Sequence, residues 1–205
     1  MVSSPPDGKR ALFSSAPVAV FEQERPRSSW VEILYLAERL SSHPPLVPAQ
    51  PEQRMRMWGL CHEIAGDLGF GWQRRLMMVH AMTASGAPGA EVMAHLGRKY
   101  GYSAETGAAA GECSAEILRT LSAQLVAQQK TGSRYFVGDA LSAADLYWAA
   151  FATMLEPLPE ADCPLPAMLR AGYAAPKEVR DAAHPILLEH RDFVYREHIG
   201  LPLDC

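Results

Sequence analysis

The segment Leu141-Ser142-Ala143-Ala144-Asp145-Leu146 constrains this chain more than any other. It lies between Phe136-Val137-Gly138-Asp139 and the run Tyr147-Trp148-Ala149-Ala150-Phe151. A serine at a helix N-cap can accept the backbone N–H of Asp145, while the Asp145 carboxylate reaches back to the Ser142 N–H. Leu141 before the cap and Leu146 after it have the spacing of a hydrophobic staple. Gly138-Asp139 supplies the turn that delivers the chain into the cap. Each half of such a cap contributes about 1 kcal/mol. The helix that follows, about 142–155, is apolar enough to require burial among other helices.

Prolines and glycines divide the rest. Residues 1–16 are rich in Ser, Pro and Gly and carry no period, so they read as a flexible lead. Val18 and Val20 alternate with Ala19 and Phe21, which predicts a short strand entered from Pro17. Trp30, Ile33, Leu34, Ala37 and Leu40 recur at helical spacing, with Ser29 as the N-cap. Pro44 and Pro45 stop that helix by Ser42–His43. The division is therefore 1–42, a lead and a partial α/β domain; 43–51, a Pro-rich linker; and 52–205, an all-helical domain. Within the last, Met57, Leu60, Cys61, Ile64 and Leu68 form one apolar stripe. Gly66, Gly69 and Gly71 bend the chain, ASGAPG is a loop, and EVMAHLGRKYG is a short helix. Gly101 and Gly107 bracket a break before a helix at 112–129. Shorter helices follow at 165–173, 177–183 and 185–197, giving a bundle of about five to seven helices.

Composition excludes several classes. A formal charge of -4 without a concentrated basic face gives no grip on nucleic acid. No stretch reaches the roughly 20 apolar residues of a membrane helix. The N-terminus has no apolar core after its basic residues, so no secretory signal is read there. Cys61, Cys113, Cys163 and Cys205 are far apart and form no ligand spacing, which fits reduced thiols in the cytoplasm. Cys61-His62-Glu63 with His80 is the nearest approach to a metal set. Neighbours on a helix diverge by about 100°, so they do not converge on one ion, and no metal is expected. Glu189-His190-Arg191-Asp192 reads as a solvated helix face.

The 134–151 segment resembles the buried N-capping box and hydrophobic staple of the glutathione transferase family. APVAVFEQERPRSSWVEILYLAERL resembles the end of that family's thioredoxin-like domain. The two matches have the family's order and cover residues 16 to about 155. The resemblance implies a mainly α fold: a glutathione transferase C-terminal-like helical bundle behind a truncated thioredoxin-like α/β remnant. It implies glutathione as co-substrate, with its thiolate added to a hydrophobic electrophile. Pro17 would be the cis-proline, and the backbone of Ala16 would pair with the cysteinyl part of glutathione. Ser28 and Ser29 would read the γ-glutamyl group at a helix start, where free N–H groups favour a carboxylate. The family carries an acidic or amide residue before that serine, where this chain has Arg27 or Ser28. Trp58, His62, Trp72 and Met77, on the first helices of the helical domain, would wall the acceptor pocket; core or surface packing is their other reading.

The family's catalytic Tyr, Ser or Cys lies on a strand earlier than any residue here. Only 16 residues precede Pro17, where about 40 or more would hold the missing elements. In-frame sequence upstream is therefore expected to encode a strand bearing such a residue. The resemblance further implies a homodimer. The alternative is a non-catalytic member whose fold is a docking or dimerisation module, which Arg27-Ser28 and the short front favour.

Overall fold

The structure, a computed structural model, describes residues 17–85 and 90–203. The expected loop at 84–89 lies mostly outside these, as do residues 1–16 and Cys205. The chain divides into two compact units, Met1–Pro44 and Pro45–Cys205.

In the first unit, Ala19 and Arg27 form one isolated antiparallel bridge, with N–H···O distances of 2.8 and 2.9 Å. The strand expected at 17–21 therefore does not form. The chain turns at Phe21–Glu24, with Glu22 at φ 47°, before more than one pair can meet. Helix α1 spans Trp30–Leu40. Its buried residues are Leu34 and Leu36, whereas Ala37 and Leu40 of the expected apolar face are exposed. Positions two apart on a helix point about 200° from each other, so α1 is covered on two sides and not along one stripe.

In the second unit the helices are α2 (Pro51–Ala65), α3 (Phe70–Ser85), α4 (Ala90–Lys99), α5 (Ala104–Lys130), α6 (Ala143–Phe151), α7 (Ala167–Tyr173), α8 (Lys177–Asp181) and α9 (Ile186–Val194). A 3-10 turn, Ala152–Met154, extends α6, and a π turn, Tyr195–Ile199, extends α9. Among the described residues of this unit eight α-helices stand, where five to seven are expected; the short helices expected at 165–173 and 177–183 are α7 and α8. α3 packs on α5, and α6 lies between α2 and α9. Met57, Cys61 and Ile64 on α2 are fully buried, a contribution of about 1.5–3 kcal/mol for each large aliphatic side chain. Leu68 leaves their stripe: it is 67% exposed at φ 64°, in the bend between α2 and α3. Trp148 of α6 is wholly buried, tilts against Phe70 at 5.7 Å, and donates its indole N–H to the Leu187 carbonyl of α9 at 2.8 Å.

Gly107 does not break a helix. It lies inside α5, where a Cβ would stand 2.6 Å from His80 Nδ1 and from the Tyr102 ring. The residue is glycine for close approach, and α5 therefore begins at Ala104, eight residues before the expected 112.

Candidate functional site

Two places in this fold concentrate polar groups. The first is the start of α1. The Ser29 hydroxyl accepts the Glu32 N–H at 3.3 Å, satisfying one of the helix's unpaired donors. Ser28 is half-buried and Ser29 exposed; Pro17 is exposed, and Ala16 lies outside the described residues. Arg27 folds back to Glu24, which also takes Arg39 at 2.6 Å, and Arg25 pairs with Glu32. The guanidiniums of Arg39 and then Arg27 hold the Glu24 carboxyl below its ordinary range. Arg25 does the same for Glu32. The cations beside the helix start are thus paired within their own unit.

The second place is the start of α6. Asp145 is fully buried and accepts four hydrogen bonds. Oδ2 takes the Ser142 N–H at 2.8 Å and the Ser142 hydroxyl at 2.7 Å; Oδ1 takes the Phe136 N–H at 2.8 Å and His190 Nε2 at 2.8 Å. The capping box is closed, and Ser142 is 1% exposed. Leu141 and Leu146 pack against one buried cluster that includes Ala149, Leu158 and Phe193. His190 and Arg191 are each 4% exposed, which corrects the reading of 189–192 as a solvated face. Only Glu189 of the four is exposed. His190 was legible as a titratable residue, but nothing local to it signals a partner 45 residues away.

Cavities open among the described residues of the second unit, and three of them are notable. One, of about 200 Å³, is lined by residues of α5, α9 and the segment between α5 and α6, His190 and Arg134 among them. Another, of about 370 Å³, carries Arg170, Arg191 and Arg196 against Glu156, Asp162 and Asp192. The third lies at the start of α2 around Gln50, Gln53, Arg56 and Gln128. Among the described residues no three His, Cys, Asp or Glu side chains are grouped to hold a metal ion, and no helix is long and apolar enough to cross a membrane.

Residues 80–170 match the family model described as glutathione S-transferase, C-terminal domain. That stretch is similar to the C-terminal domain of glutathione S-transferases. The match runs from within α3 into α7 and so contains α5 and the capped α6. The chain is also similar to a solved structure, maleylacetoacetate isomerase from Methylobacterium extorquens AM1 with bound malonate and GSH. Identity is 21%, the alignment covers 86% of this chain and 72% of that one, and the TM-score is 0.45. No curated protein matches the sequence.

The four residues named for an acceptor pocket, which precede the matched stretch, have separate surroundings. Trp72 is half-buried, donates its indole N–H to the Tyr100 carbonyl at 3.0 Å and meets the Tyr100 ring edge-on. Met77 faces α5, its sulfur 3.8 Å from Ser114 Oγ. His62 is exposed and lies over Gly66 at the end of its own helix. Trp58 is half-buried on α2. None of the four lines the three cavities. Between these helices runs Arg74, a residue the sequence does not distinguish from its neighbour Arg75. Its buried guanidinium donates to the carbonyls of Met154 at 2.8 Å, Tyr173 at 3.3 Å and Ala174 at 3.4 Å. Burial brings its pKa down to about 10. Burial pushes the Cys61 thiol far above the usual range, with the Asp145 charge adding to it, which makes Cys61 a packing residue and not a nucleophile.

Proposed function

We propose that this glutathione transferase-like chain binds glutathione at the start of α1 and serves the transfer of its thiolate to a hydrophobic electrophile. In this reading Ser28 and Ser29 receive the γ-glutamyl carboxylate, and Ala16 with Pro17 lies along the cysteinyl backbone. The observation that carries it is the pairing of Arg27 with Glu24. A free cation beside the helix start would repel the peptide's ammonium group; a paired one leaves the N–H groups and helix dipole to act on the carboxylate. Trp58, His62, Trp72 and Met77 are the proposed acceptor side, and the protein is proposed to work in the cytoplasm as a homodimer.

A second reading, a non-catalytic docking or dimerisation module, is favoured by Trp72 and Met77, whose polar atoms are already engaged inside the domain. Retention on immobilised glutathione, followed by turnover of a chloronitrobenzene acceptor, separates the two. Saturable binding that weakens in Ser29→Ala, with turnover, upholds the enzyme; absence of binding selects the docking module.

A further inference from the structure

We draw no further inference here: the strongest candidate, the exposed apolar patch that Met168 and Leu169 of α7 form beside Pro164 and Pro166, is a face for which nothing in the structure shows what covers it.

Discussion

The starts of α1 and α6 carry the same local spacing, a serine followed three residues later by an acid, and they behave differently. At α1, Ser29 caps the Glu32 N–H, but the Glu32 carboxylate turns outward to Arg25. At α6, the Asp145 carboxylate returns to Ser142 and also gathers Phe136 and His190. The first cap is exposed and the second wholly buried. In water a carboxylate finds a mobile cation at little cost, and such surface pairs are worth little. Inside the domain it must be satisfied in full, and so it fixes the elements that satisfy it.

The comparison can be broken most directly by Asp145→Ala. It leaves four donors from three segments without their acceptor, and about 3–5 kcal/mol of stability is expected to be lost, read by urea unfolding followed by circular dichroism. A loss below about 1 kcal/mol would mean the buried network is no stronger than a surface cap. Ser142→Ala removes one hydroxyl from the same network and is expected to cost about 1–2 kcal/mol in the same assay. Ser29→Ala should cost about 1 kcal/mol or less. Its effect is confined to α1, visible as faster hydrogen exchange of the first-turn amides with the helical domain unaltered. An equal loss at Ser29 and Ser142 would remove the distinction between the two caps.

The smallest effect is one of pH. Glu24 and Glu32 have depressed folded-state pKa values, through Arg39 and Arg27 and through Arg25 respectively. Their pairing therefore acts above the ordinary carboxylate range and is lost as pH falls through the depressed values. Protection factors of the amides of residues 19–40, with the intrinsic exchange rate divided out, should fall over that acid interval, and Glu24→Gln should abolish part of that pH dependence. Protection factors that are flat with pH would show the ion pairs to be incidental.

How much of this was legible beforehand differs between the same regions. The α6 cap could be read because its polar partners within the box are three residues apart and flanked by apolar staples. The buried face of α1 was misread, since the pattern supplied one stripe while Leu34 and Leu36 are covered from two sides. The start of α5 was missed because Gly107 looks like a breaker when it is a contact with His80 and Tyr102. The acceptor-side residues were placed by resemblance, and spacing alone says nothing about which cavity a Trp or Met reaches.

By itself the sequence determined that most of these helices form and where several are capped or stopped, since caps, prolines and apolar periods act over three or four residues; the start of α5 escaped it. It also determined that a buried helix would run over about 142–155, where α6 and its 3-10 extension stand. Only the tertiary structure decided that Asp145 would meet His190 and that Arg74 would bind carbonyls of Met154, Tyr173 and Ala174. Those partners lie 45 to 100 residues apart along the chain. Their meeting is set by how whole helices pack, and no short-range preference of the residues themselves encodes it.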